Sequence, residues 1–182
     1  PRELYSTSTT RVISGTTITW SNSRGWYFDF EDQANSLATP TNIGERVTSN
    51  SLIVSNVLLF NTVIPTVVNS DLCVSNSESW IMAVDLNTGK APNYTDFDIN
   101  NDGVFDDTTA IYDIDEDDDV DSDDVTSHAG IKANTAMIAG DIAILGNTIY
   151  SNDVDGNLNE ESVTIETTAK QGRLSWEELI RQ

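Results

Sequence analysis

The apolar residues of this chain come in short packets closed by turn dipeptides, and that rhythm restricts the fold before anything else does. Leu52-Ile53-Val54 and Val57–Ile64 flank Ser55-Asn56, a two-residue connection that predicts a hairpin. Trp80–Leu86 runs into Asn87-Thr88-Gly89-Lys90, a strand followed by a tight turn. Met137-Ile138-Ala139, Ile142–Leu145 and Thr148-Ile149-Tyr150 are split by Gly140-Asp141 and Gly146-Asn147. Asp155-Gly156 then precedes Asn157-Leu158 and Val163-Thr164-Ile165. Short strands joined this way make an antiparallel up-and-down meander, the repeating unit of a β-propeller blade. Nearer the start, the β-branched stretch Arg11–Trp20 and the aromatic packet Gly25–Phe30 are predicted as strands. The chain shows no clean repeat period, so the all-β propeller expectation rests on strand length and turn spacing.

Only the C-terminus predicts helix, over about 175–181. Ser175 stands as N-cap, Glu178 is its capping-box partner, and Leu174 and Leu179 occupy staple positions. A helix this short is not stable alone, so Trp176, Leu179 and Ile180 are expected to dock it on a sheet.

The chemistry-bearing stretch is Phe97–Asp107, which sets oxygen side chains at alternate positions around a glycine. Calcium takes about six to eight oxygens, and an alternating Asp/Asn loop with a sharp Gly-permitted turn supplies them. Asp98, Asn100, Asp102 and Asp106 are the predicted side-chain ligands, and Val104 offers its backbone carbonyl. Thr109 stands where an EF-hand would place its bidentate acid, so a shorter loop is expected, completed by Asp107 or water. The plain alternative is an acidic surface turn with Asp-Gly at its apex. Downstream, Asp113, Asp115, Asp117, Asp119 and Asp121 alternate in a run that extends to Asp124, a candidate second calcium site lacking a glycine to mark the turn. A similar choice applies to Asp153, Asp155 and Asn157 around Gly156, where a hairpin turn is the simpler reading.

A formal charge of −21 argues against nucleic-acid or anionic-membrane partners. The packed carboxylates need solvent or bound cations to offset their repulsion, and an acid-rich surface also suits a salty environment. No window is long and apolar enough to span a bilayer. Pro1 is not an initiator and no charged-then-apolar leader follows it, so a processed or excised piece of a larger protein is expected. Cys73 is the sole cysteine: a small buried apolar residue, or one paired outside this sequence. His128 is expected as a solvated loop residue beside the acidic run. Asn93-Tyr94-Thr95 matches a glycosylation acceptor, a pattern frequent by chance. Trp20, Trp26, Tyr27, Phe28 and Phe30 would suit a carbohydrate platform, but core packing is the expected use in a strand-rich fold.

Several words in fixed order resemble the C-terminal part of the PilY1/PilC family of type IV pilus-associated proteins. They are Arg24-Gly25-Trp26-Tyr27, Gly44-Glu45-Arg46-Val47, Phe60–Pro65, Asp71-Leu72-Cys73, Ser79–Met82, Val84–Gly89 and the closing Gly172–Leu179. The resemblance runs from about Ser23 to the end. It implies that residues 1–182 are the last blades of a modified β-propeller with an acidic insertion over about 91–130. It also implies a non-enzymatic, calcium-regulated adhesin and assembly factor, exported to the pilus tip at the bacterial surface. Its partners would be minor pilins or other pilus subunits, the rest of the parent propeller, and a host or abiotic surface. No Arg-Gly-Asp tripeptide is present, so integrin binding is not carried over to this segment.

Two rivals share individual words. Trp80–Lys90 resembles the docking words of quinoprotein propellers, whose calcium-dependent dehydrogenases use pyrroloquinoline quinone; in both families the words do packing work. Vicinal cysteines and paired basic residues to hold an anionic quinone are missing from the sequence. Asp98–Gly103 also resembles a dockerin calcium loop, but dockerins follow each loop with a helix, and Thr108–Tyr112 is β-branched and aromatic.

Overall fold

The computed structural model describes residues 2–32, 41–65, 77–92, 97–99, 102–105, 108–110, 125–133, 140–153 and 155–164. Among them the chain forms only strands: β1 (Glu3–Ser6), β2 (Thr10–Ser14), β3 (Glu31–Asp32), β4 (Thr41–Asn42), β5 (Arg46–Val47), β6 (Leu52–Val54) and β7 (Val57–Ile64). There follow β8 (Glu78–Asp85), β9 (Thr108–Ala110), β10 (Val125–Ser127), β11 (Gly130–Lys132), β12 (Ala143–Leu145), β13 (Thr148–Asn152) and β14 (Leu158–Ser162). Every strand pairing is antiparallel. The principal sheet runs β1-β2-β11-β8-β7, with β5 and β6 sharing the far edge of β7. A three-stranded sheet runs β12-β13-β14, and two ribbons pair β3 with β4 and β9 with β10.

The expected hairpin is formed by β6 and β7, with Val54 opposite Val57. Ser55 and Asn56 sit at φ 49° and 73°, the two left-handed positions that a type I′ turn demands. β7 and β8 pair along their whole lengths, from Val57 opposite Asp85 to Ile64 opposite Glu78. Both strands are buried on both faces, which is why they read as nearly continuous apolar runs. One face presents Val57, Leu59, Ile81 and Ala83 to a core completed by Phe97, Ile142, Ile149 and Val163. The other presents Phe60, Trp80, Met82 and Val84, joined by Leu4 and Ile13. Each such aliphatic or aromatic side chain contributes roughly 1.5–3 kcal/mol when fully buried.

Three local expectations are corrected. The strand predicted over Arg11–Trp20 stops at Ser14, and the residues after it form a loop. Gly25–Phe30 is not a strand beyond an isolated bridge from Phe28 to Arg2. Instead Trp26, Phe28 and Phe30 lie as an aromatic layer over the second core: Trp26 stacks on Phe28 at 6.2 Å, and Phe30 meets Phe28 edge-on at 5.4 Å. That geometry suits ring quadrupoles without any backbone ladder. His128 is buried, 3% exposed, between β10 and β11, not solvated. The final meander strand is β14, while Val163 beyond it bridges Phe97. Met137-Ile138-Ala139, Cys73, Asn93-Tyr94-Thr95 and the C-terminal helix at 175–181 lie outside the described residues.

Two long-range contacts explain why separated words occur together in one sequence. Arg11 donates through Nη2 to Glu45 Oε2 at 2.7 Å and through Nε to Ser6 Oγ at 3.1 Å, and its guanidinium lies 3.9 Å from the Trp80 ring centre. Glu45 also accepts from the Thr62 hydroxyl, and both charged side chains of the pair are 1% exposed. A buried ion pair survives only when hydrogen bonds satisfy its remaining lone pairs and protons, as Ser6 and Thr62 do here. Elsewhere Trp26 packs on the turn after β8 and donates from Nε1 to Leu86 O at 2.9 Å. Gly89 is required there twice over: its φ is 67°, and a Cβ would stand 2.4 Å from the Trp26 ring. The docking words thus do packing work.

Candidate metal loop

Phe97 and Ile99 fix the start of the acidic loop. Phe97 is 1% exposed and bridges Val163, and Ile99 packs against the same core. Asp98 lies between them in sequence, so alternation turns its carboxylate away from the apolar contacts of its neighbours. Its two oxygens divide the work: Oδ1 accepts from the Asp102 N–H at 3.1 Å, and Oδ2 accepts from the Gly103 N–H at 3.0 Å. Asp102 Oδ1 in turn accepts from the Val104 N–H at 2.7 Å. The chain therefore curls around the Asp98 carboxylate, and it makes the bend at Gly103, whose φ is 84°. A side chain there would be strained by the backbone alone.

The Asp102 backbone N–H thus lies on the Asp98 carboxylate, and Val104 is half exposed at the loop surface. Asn100, Asp106, Asp107, Asp113, Asp115, Asp117, Asp119 and Asp121 lie outside the described residues. Among the described residues, no three Asp, Glu, His or Cys side chains converge on one point. The donors present suit calcium in kind: each oxygen of Asp98 spends one lone pair on an N–H and keeps capacity for a hard cation. Beyond the loop, β9 pairs with β10, with Thr108 opposite Ser127 and Ala110 opposite Val125. This pairing places a strand where a dockerin would place a helix.

The second Asp-Gly cluster is a turn that satisfies itself. Asp153 Oδ1 accepts from the N–H groups of Asp155 at 2.9 Å and Asn157 at 2.8 Å, and Oδ2 accepts from the Asn157 side-chain amide at 2.9 Å. The Asn157 side chain first, and its backbone N–H second, hold the Asp153 carboxyl below the usual carboxylate range. A third aspartate that sequence reasoning passed over, Asp141, accepts from Asn50 through both the backbone N–H at 2.8 Å and Nδ2 at 2.9 Å. It joins the three-stranded sheet to the segment before β6. Asn50 lowers its pKa in the same way, side-chain hydrogen bond first. Nothing in the local sequence signals a contact between residues so far apart.

The described residues define an antiparallel, propeller-like all-β unit. No family model matches the chain. It is 29% identical over 104 residues to the type IV pilus biogenesis factor PilY1 of Pseudomonas aeruginosa, in strains PAO1 and PAK alike. The match takes in 54% of this chain and 8% of each relative, so the chain spans a small part of the curated relatives' length. The crystal structure of the Pseudomonas aeruginosa PilY1 C-terminal domain is similar with a TM-score of 0.57 at 18% identity, over 90% of this chain and 31% of that one. The chain is related to PilY1 in its C-terminal region and shares that domain's fold. Among the described residues, no helix is long and apolar enough to cross a membrane.

Proposed function

We propose that this chain is a non-enzymatic, calcium-binding section of a type IV pilus factor, exported to the bacterial surface. There it supports pilus biogenesis and attachment through minor pilins or other pilus subunits and a host or abiotic surface. The pilus assignment draws on the similarity to a protein named as a type IV pilus biogenesis factor. The calcium assignment draws on one observation above all: both oxygens of Asp98 gather backbone N–H groups of the loop while Phe97 and Ile99 root it in the core.

Bound calcium would neutralise neighbouring carboxylates that otherwise repel one another. Asp98 and Asp102 would hold the ion, with Asn100, Val104 and Asp106 as the further expected ligands. Phe97 and Ile99 would pass the loop's order to the sheet. The result is an ion-dependent brace for an exposed surface. Extracellular calcium near 1 mM fills even a weak extracellular site, for which Kd is about 10⁻⁴–10⁻³ M.

The non-enzymatic reading is supported by how the quinoprotein-like words are used. Asp85 caps its own turn by accepting from Asn87 N at 2.9 Å and Thr88 N at 2.8 Å, and Gly89 makes room for Trp26. Calorimetric titration of calcium into chelator-treated protein tests the assignment. Saturable binding is expected in the parent chain and its loss in both Asp98→Ala and Asp102→Ala; binding unchanged in both variants overturns it.

A further inference from the structure

An aromatic cavity opens on the face of the principal sheet that carries the second core. It measures about 370 Å³, and five rings line it: Trp26, Tyr27, Phe28, Phe30 and Phe60. Val47 and Leu58 complete its apolar wall. Tyr27 and Val47 give it an accessible rim, being 61% and 44% exposed.

Local contacts set the orientations of the rings. Trp26 is held by its Nε1 hydrogen bond to Leu86 O at 2.9 Å, and Phe28 lies parallel to it within 7°. Phe30 stands at 85° to Phe28, and Phe60 at 67° to Phe30. Rings at such steep angles form walls and not one flat stack, so a compact guest meets π density from more than one direction.

The lining narrows the guest's chemistry. With the Trp26 N–H already donated to Leu86, the polar side-chain groups among the described lining residues are the hydroxyls of Tyr27 and Ser51. A buried alkylammonium or guanidinium would leave N–H donors unpaired there, at a cost for each, and a sugar would strand most of its hydroxyls. The charge of the chain pulls toward cations all the same. At −21 it concentrates them at its surface, and Asp29 and Glu31, which alternate with the lining aromatics in sequence, are exposed. A cation that carries no N–H group meets both demands, because aromatic faces attract its charge without needing a donor from it. We propose that this cavity binds a small quaternary ammonium cation of the choline type, its trimethylammonium head among the rings and its hydroxyl on the Ser51 side. The volume lies near the lower end of the roughly 300–1,000 Å³ range of ligand sites, which suits a small molecule. The cavity shares no residue with the acidic loop, so the proposal does not depend on calcium.

The test is titration of choline into the chain, followed through the choline methyl signal in NMR. Neopentyl carbinol, its uncharged carbon isostere, and ethanolamine, its N–H-bearing analogue, are the parallel probes. Choline is expected to bind saturably with its methyl signal moved upfield by the rings, and both controls at least about tenfold more weakly. Tyr27→Leu and Phe28→Leu each keep apolar bulk and remove a π face. They should weaken choline about threefold and about tenfold, respectively, and leave the isostere within about twofold. Tyr27→Leu, at the exposed rim, should do so without moving the melting temperature. A substitution that only loosened the fold would weaken both ligands alike. Choline binding that does not saturate, equal or tighter binding of either control, or choline binding that survives both substitutions overturns the proposal.

Discussion

The Asp98 loop and the Asp153 turn look alike in sequence, each an aspartate ahead of a glycine in a run of acidic and amide residues, yet they are built for different ends. Both glycines sit at φ 84°, and both leading aspartates fold their carboxylates back on the backbone. The Asp153 turn closes on itself because Asn157 supplies a side-chain amide as well as an N–H, and it does so between adjacent strands of a hairpin. Among the described residues, the Asp98 carboxylate accepts from backbone N–H groups, and its loop leaves the core at a buried phenylalanine instead of passing between paired strands. The Asp153 carboxylate accepts three hydrogen bonds, one of them from a side chain, and the Asp98 carboxylate accepts two from the backbone.

The largest expected difference between the two lies beneath them. Phe97→Ala removes an aromatic side chain 1% exposed and should cost about 3–5 kcal/mol in urea denaturation. Leu158→Ala, beside the other turn and 64% exposed, should stay within about 0.5 kcal/mol. Equal costs would mean that the acidic loop is not anchored as described.

Next in size is calcium itself. At about a hundred times its dissociation constant, a ligand bound only by the folded state adds about 2.7 kcal/mol of stability. That gain is expected in the parent chain and in Asp153→Ala, and should vanish in Asp98→Ala when thermal melting is followed with and without chelator. The glycines come third. Gly103→Ala and Gly156→Ala each place a side chain at positive φ, at roughly 1–2 kcal/mol. Only the former should also weaken calcium binding in the calorimeter.

The smallest effect is one of pH. Asn157 holds the Asp153 pKa below that of an unfolded carboxylate, so the turn's contribution is present above the unfolded value and fades as pH falls through the lowered one. In an NMR titration, the Gly156 and Asn157 amides should keep native shifts to lower pH than a model carboxylate would allow. Asn157→Ala should raise that midpoint.

What the sequence made legible follows from how local each signal is. Ser55-Asn56, Asn87-Thr88-Gly89 and Gly146-Asn147 name their own turns, so β6–β7, the end of β8 and β12–β13 are readable from a few residues. The pairing of β2 with β11, where Gly130 faces Arg11, joins short segments far apart in the chain, and no local pattern fixes such a register. For the same reason the burial of Arg11 against Glu45 was invisible, since both read as surface charges until Thr62 and Trp80 are placed beside them. The aromatic packet misled through composition: Trp26, Phe28 and Phe30 alternate like a strand, but their partners are side chains across the core. Within the candidate loop, the turn from Asp98 to Val104 is legible from spacing because an Asx-type loop is built from contacts only a few residues long.

The most direct measurement is site-resolved NMR of the chelated chain as calcium is added to millimolar levels. The amides of Asp102 and Gly103 should shift and become protected from solvent exchange, with those of Gly156 and Asn157 unmoved. Equal movement at both turns, or none at Asp102 and Gly103, would contradict the assignment of the ion to the Asp98 loop.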